Sequence, residues 1–347
     1  MSLALFRIQR HHLLAVVLWL LPSAAFAQAL NPDDPASNNL RKSTQAAVKP
    51  YNLSAAITSS LGTGSFAASS YKNHYFAQSL DLSASVRAWK YFSFVALWGF
   101  DAEYTQPDNE SGRRFFLRDV TLAAAWATSL GKHVSTRISL GMQLPTSLAS
   151  QVATRYLRTT VAGALNGSFG PVFVSYSAGL SKDFNRYTSP VFDQSQADLP
   201  SVLLRQSTRE NIDLSIGLVP MPGTRNISWL VRNSLALNVT LYKGLSLGFA
   251  FSMFNAFKYP SPDDAYRATI PTVNGNVKAD LVGRLDFTMG DISLNWAALP
   301  YLQFALGAIS MQMPLTDKNN GLRIPFLNVF TANDNVTTFY LRIVGSY

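Results

Sequence analysis

In the stretch HVSTRISLGMQL, His133 and Ser135 stand two residues apart. On an extended strand, side chains at i and i+2 project from one face. An imidazole and a hydroxyl placed that way could share a proton, the base-and-nucleophile relation of acyl hydrolysis. Asn166 and Asn185 could orient the ring. The pair adjoins a short turn at Ser129–Lys132, however, and its face is otherwise polar, so an ordinary polar pair is expected and not an enzyme. Beyond the amino-terminal segment the other histidine, His74, has no histidine neighbour in sequence, which gives no ground for a metal site. Asp193, Asp198, Asp263, Asp264 and Asp334 lie in polar stretches without a calcium-loop spacing. Gly62 and Gly64 in SSLGTGS precede no helical pattern, so no phosphate loop is expected. No paired carboxylates stand out for glycoside hydrolysis. The expectation is no metal and no cofactor.

The elements that hold these residues repeat with period two. In His133–Leu144 one face carries Val134, Thr136, Ile138, Leu140, Met142 and Leu144, and the other carries His133, Ser135, Arg137, Ser139, Gly141 and Gln143. An amphipathic helix would repeat every 3.6 residues. Leu245–Met253 alternates in the same way, as do residues 75–89, 91–104, 115–128, 153–168, 171–184, 280–298 and 301–314. Very short connections at Lys90, Ser129–Lys132, Phe169–Pro171, Tyr242–Gly244 and Leu299–Pro300 alternate with long polar ones. In Leu281–Tyr301 the apolar parity changes between Leu285, Phe287 and Ile292, Leu294, Trp296, and a bulge near Met289–Gly290 would reconcile the two halves.

Composition decides where such strands belong. Charged residues make up 14% of the chain and aromatics 12%, against about a quarter charged in an ordinary soluble domain. A double-sheet sandwich would carry more Lys and Glu outside. The amino terminus, with Arg7 and Arg10, an apolar Leu13–Leu21 and an Ala25-Phe26-Ala27 site, predicts a signal peptide over residues 1–27. Residues 28–50 are polar and aperiodic, a flexible periplasmic leader. After Gln28 no apolar run reaches the length of a spanning helix. A chain too apolar for water and too interrupted for helical spans leaves the closed β-barrel. The predicted fold is therefore all-β, a transmembrane antiparallel up-and-down β-barrel over residues 51–347. Twelve strands are expected, or fourteen if Glu210–Pro220 hides another crossing. The absence of cysteine excludes disulfides and a lipid-modified cysteine. The net charge of +9 comes from scattered residues, so no nucleic-acid surface is expected.

The chain finishes FYLRIVGSY, with Phe339, Leu341, Ile343 and Tyr347 on one face. This resembles the carboxyl-terminal signal of Gram-negative outer-membrane β-barrel proteins. The resemblance implies recognition by the barrel-assembly machinery, a home among outer-membrane lipid and lipopolysaccharide, and pairing of the last strand with the first, near Tyr51–Ser60. His133-Val134-Ser135 is similar to the His-x-Ser of outer-membrane phospholipases. That family places its site on the lipid face towards the outer leaflet, unlike the polar face beside a short turn seen here.

Within a barrel, charges opposite the apolar rows must face the lumen, because on the lipid face at mid-depth they cost about 2–4 kcal/mol. Asp81, Arg87, Asp119, Arg137, Arg158, Arg232, Arg284, Asp286 and Arg342 are predicted there. Trp89, Tyr91, Phe169, Tyr242, Tyr301 and Tyr347 are predicted to form an aromatic girdle at the short-turn rim. The excess of arginine favours a passive or weakly selective channel for small hydrophilic, anionic solutes, with Asp198 and the 185–227 excursion folding inward as a constriction. Two alternatives remain at this point: a non-conducting barrel that anchors an envelope protein partner, and a hydrophobic-solute transporter.

Overall fold

In a computed structural model, the described residues are 50–63, 76–105, 115–189, 191–193, 218–220, 225–260, 269–272, 275–278, 283–312, 314 and 337–347. The signal and leader before Pro50, together with His74, Gly64, Asp198, Asp263, Asp264 and Asp334, lie outside them. Twelve strands make the wall: β1 (Tyr51–Gly62), β2 (Phe76–Arg87), β3 (Phe92–Glu103), β4 in two pieces (Phe115–Leu117 and Val120–Ser129), β5 (Val134–Leu144), β6 (Arg155–Phe169), β7 (Val172–Asn185), β8 (Ile227–Tyr242), β9 (Leu245–Lys258), β10 (Arg284–Leu299), β11 (Leu302–Gln312) and β12 (Thr337–Ser346). Each pairs antiparallel with its sequence neighbours, and β1 pairs with β12 from Ser54 opposite Ser346 to Gly62 opposite Thr338. The sheet therefore closes without an edge, which is what satisfies its backbone in hydrocarbon.

Twelve strands, not fourteen, cross among the described residues. Leu218–Pro220, the end of the extra candidate, pairs instead with Val191–Asp193 in a separate small sheet. Thr269–Thr272 and Gly275–Lys278 form another.

Alternation sorts the two faces as expected. Leu53, Ile57, Trp98, Ile138, Leu140, Val161, Leu165, Leu235, Leu306 and Leu341 are exposed on the outside, while the inward row of β5 and β6 reads Arg137, Ser139, Gly141, Gln143 against Ala164, Ala162, Thr160, Arg158. So extensive an apolar exterior is unstable in water but matched to a bilayer. The barrel therefore embeds in lipid, and its architecture is that of a Gram-negative outer-membrane β-barrel. Trp89, Tyr91, Phe169, Tyr242, Tyr301 and Tyr347 are exposed at the rim that carries the short turns.

One expectation is overturned. The pairing of β10 with β9 runs unbroken from Arg284 to Trp296, with no bulge at Met289–Gly290. Leu285, Phe287 and Met289 thus keep the inward parity and bury themselves against Leu230, Phe254 and Ala256. Arg284 and Asp286 consequently take the outward parity, opposite Phe257 and Asn255, near the long-loop rim. They are not lumen residues. They pair with each other at 2.7 Å, and Arg284 is half exposed, a placement that is inexpensive only near the interface.

Candidate functional site in the lumen

Local irregularities aim the lumen charges. Leu97 faces Thr121 across β3 and β4, yet Phe100 faces Leu117. One residue too many therefore lies on β4, and the Arg118 amide donates to the Gly99 carbonyl at 2.9 Å. This bulge sends Arg118 and Asp119 inward in succession. Arg118 pairs with Asp81 and reaches Asp101 through Nη2 at 2.5 Å and Nε at 2.9 Å. Gly99 lies beneath them, where a Cβ would come within 2.4 Å of the Leu80 carbonyl oxygen and 3.3 Å of Asp81 Oδ1.

Asp119, 1% exposed, accepts from the Ser147 amide at 2.7 Å, from the Ser150 hydroxyl and from Arg155. Ser147 caps the short helix α1 (Leu148–Val152), its Oγ accepting from the Ser150 amide. A second register shift, between Arg155 and Leu157, turns Arg155 inward. It also approaches Asp183 at 3.4 Å, while Arg158 grips Asp183 through Nε and through Nη2 at 2.7 Å. The Ala153 carbonyl accepts from Asn185 at 2.7 Å and Asn226 at 2.8 Å, and the Tyr259 hydroxyl donates to the Asp183 carbonyl at 2.6 Å. The loop carrying α1 is therefore folded into the long-loop mouth and held by a fully engaged carboxylate.

The facing wall is apolar. Phe254 and Phe287, 2% and 1% exposed, pack with ring centroids 6.3 Å apart. The Arg232 guanidinium lies 5.4 Å from the Phe254 ring centre and donates through Nε to Ser234 at 2.8 Å. Among the described residues, no carboxylate comes within 4.0 Å of Arg232 or Arg342. Elsewhere on this wall Tyr340 lies across Gly307, where a Cβ would meet its ring at 2.5 Å, and donates to Asp291 at 2.9 Å. Between the walls is a cavity of about 120 Å³, lined by Arg137, Arg158, Arg232, Ser139, Thr160 and Phe254 among others.

Of the residues predicted from sequence, Asp81, Asp119 and Arg158 thus belong to the ionic clasps at the mouth, and Arg137, Arg158 and Arg232 meet at one cavity. Arg342 stands on the inward row of β12 between Thr58 and Ala305. Arg87 lies at the short-turn rim, exposed, its amide bonded to the Pro50 carbonyl at 2.6 Å. His133 Nδ1 is 3.0 Å from the Ser168 carbonyl and its ring stacks on Phe169, while Asn166 accepts from Ser175 at 2.7 Å. His133, Asn166 and Asn185 are thus each engaged in other hydrogen bonds, while Ser135 stands opposite Asn166 across β5 and β6. Missed were Asp101, Asp183, Asp291 and Tyr340, which continued parity would have placed inside, and Arg118 and Arg155, which only the bulges turn inward. Among the described residues no three potential metal ligands gather.

No family model matches the chain, and no curated relative does. Among solved structures, an outer membrane channel from Pseudomonas putida F1 is similar at 10% identity and a TM-score of 0.48, over 87% of this chain and 97% of that one. The NanC porin is similar at 12% identity and a TM-score of 0.42, over 84% and 98%. The translocator domain of the autotransporter NalP from Neisseria meningitidis shares 8% identity with a TM-score of 0.36, over 93% and 97%.

Proposed function

We propose that this barrel is a passive, weakly anion-selective channel for small hydrophilic solutes. The observation that carries the reading is the uneven satisfaction of lumen charge. Asp81, Asp101, Asp119 and Asp183 are consumed by Arg118, Arg155 and Arg158, and Asp291 accepts from Tyr340. Arg232 and Arg342 keep their charge without a carboxylate at 4.0 Å among the described residues. A low-dielectric wall focuses the local positive field of these two guanidiniums on the adjoining stretch of the pore. In the same reading, the short-turn aromatics set the depth of the barrel, and Phe339, Leu341, Ile343 and Tyr347 form the row read during assembly.

Single-channel recording across a salt gradient tests this. The refolded barrel is expected to give discrete steps with a reversal potential on the anion side. At about 8 Å and an effective dielectric near 40, one charge is worth roughly 1 kcal/mol to a passing ion, about fivefold in local concentration. Arg232→Gln is expected to lower the anion-to-cation permeability ratio by a factor of that order. A folded barrel that passes no current, or a ratio indifferent to both Arg232→Gln and Arg342→Gln, refutes the proposal.

A further inference from the structure

Along the twelve wall strands, the rows that face lipid by parity carry charge at Lys182, Arg284 and Asp286 alone among the described residues. All three lie on β7 and β10 near the long-loop rim, which in this architecture meets the outer leaflet. Cross-strand register sets them in order. Lys182 stands opposite Trp229, Trp229 opposite Phe257, and Phe257 opposite Arg284. One outward row across β7–β10 thus reads cation, aromatic, aromatic, cation. Its ends are three strand spacings apart, about 14 Å. Cations that merely anchored the barrel at the interface would be wanted all round the rim. These are gathered on four adjoining strands.

The row presents open surface. Trp229 is 42% exposed, Phe257 38% and the Arg284 side chain 52%. The Arg284 guanidinium lies 5.7 Å from the Phe257 ring centre and gives Nε to Asp286 at 2.7 Å. The Asn255 amide holds the same carboxylate oxygen at 2.7 Å. Lys182 Nζ lies 4.7 Å from the Trp229 ring centre and 4.9 Å from that of Tyr259. It donates to Ser228, the extra residue of a register shift in β8, at 2.5 Å. Each cation therefore uses one N–H on these partners and keeps others for a ligand. Asp286 offsets one charge, and the row stays net positive.

A phospholipid brings one phosphate group and no sugar ring. A sugar pair phosphorylated at each end brings two anions separated by flat C–H faces, which is the order of the row. We propose that β7–β10 form a fixed site for a diphosphorylated glycolipid of the outer leaflet, the lipid A part of lipopolysaccharide. One phosphate meets Lys182, the other meets Arg284, and the sugars lie over Trp229 and Phe257. Guanidinium and phosphate make charge-assisted hydrogen bonds of matched geometry. The acyl chains run down past Leu180 and Val231, which occupy the next outward row. The site retains one molecule at one place, unlike the lipid that bathes the whole wall, and it does not depend on conduction through the lumen.

Native mass spectrometry of the refolded full barrel in detergent tests this, with diphosphoryl lipid A titrated against monophosphoryl lipid A, phosphatidylglycerol and inorganic phosphate. One diphosphoryl lipid A per barrel is expected, held about tenfold more tightly than phosphatidylglycerol, with the monophosphoryl form between them and no inorganic phosphate retained. Lys182→Gln and Arg284→Gln are each expected to weaken that adduct about tenfold, through loss of one charge-assisted contact, and to leave phosphatidylglycerol unchanged. Arg284→Lys is expected to recover part of the loss. Heat-modifiability on gels shows which variants are folded, and the comparison among lipids is made on the parent barrel whether or not they fold. A ladder of lipid A adducts with no preferred first one, equal retention of phosphatidylglycerol, or affinity unchanged in both glutamine variants overturns the site. Retention of inorganic phosphate that is lost in the same variants overturns the glycolipid as its occupant.

Discussion

Asp119→Ala is expected to lower the stability of the folded barrel by about 3–5 kcal/mol, the usual cost of removing one partner from a buried ion pair. Three donors converge on this carboxylate: the Ser147 amide, the Ser150 hydroxyl and the Arg155 guanidinium. All three lose this acceptor at once, and Arg155 keeps only its contact to the Ser150 hydroxyl and a longer one to Asp183. Asp119→Asn retains an acceptor for the Ser147 amide but not the charge, so its cost is expected to fall between parent and alanine. Urea unfolding followed by tryptophan fluorescence gives the order. The same substitution also frees α1 from the mouth, so proteolysis at residues 145–154 and larger conductance steps are expected while the wall stays folded. An unfolding midpoint equal to the parent's, with that loop still protected, would show that Asp119 does not hold it.

Gly99→Val is expected to have the larger effect on assembly. Even a single added carbon would sit 2.4 Å from the Leu80 carbonyl oxygen, which is backbone and cannot rotate away. For Gly99→Ala, overpacking of this kind costs about 1–3 kcal/mol. Separation of β2 from β3 at that point also disturbs Asp81, and with it one anchor of Arg118. The branched valine is therefore expected to give little or no heat-modifiable barrel. Refolding yield on a gel measures this. A normal yield of Gly99→Val would mean that the β2–β3 register tolerates a shift absent from this geometry.

How far the sequence discloses this protein depends on which side of the wall is read. The lipid face obeys one rule, because hydrocarbon accepts almost nothing but apolar side chains. His133–Leu144 and the closing Phe339, Leu341, Ile343 row could accordingly be assigned residue by residue, whereas the pairing of the last strand with the first followed from the resemblance to outer-membrane barrels alone. The lumen face obeys no such rule. Leu285, Phe287 and Met289 mimic lipid-facing residues, yet they fill the interior against Phe254 and Leu230. Parity reasoning therefore invented a bulge in β10 and placed Arg284 and Asp286 inside. The bulges that do exist, at Arg118–Asp119 and after Arg155, carry no composition of their own. Both are fixed by tertiary pairing, the first through the close approach at Gly99. Alternation readily assigned Arg137, Arg158 and Arg232 to the interior. That they share one cavity depends on the stagger of β5 through β8, which no single strand encodes.

The pairing of β1 with β12 carries a consequence in time. Every other neighbour in the ring is the adjacent strand of an up-and-down meander, available to each hairpin as it arrives. The Thr58–Arg342 contact, in contrast, joins positions separated by nearly the whole wall, and contacts at such separation form slowly because the chain entropy is spent first. Until they form, two strands carry bare amides and carbonyls along rows flanked by Ile57 and Leu341, a template for pairing with another molecule. The open strip is therefore the species most exposed to aggregation. Its lifetime, more than the final stability of the ring, sets how much of this protein reaches the membrane intact.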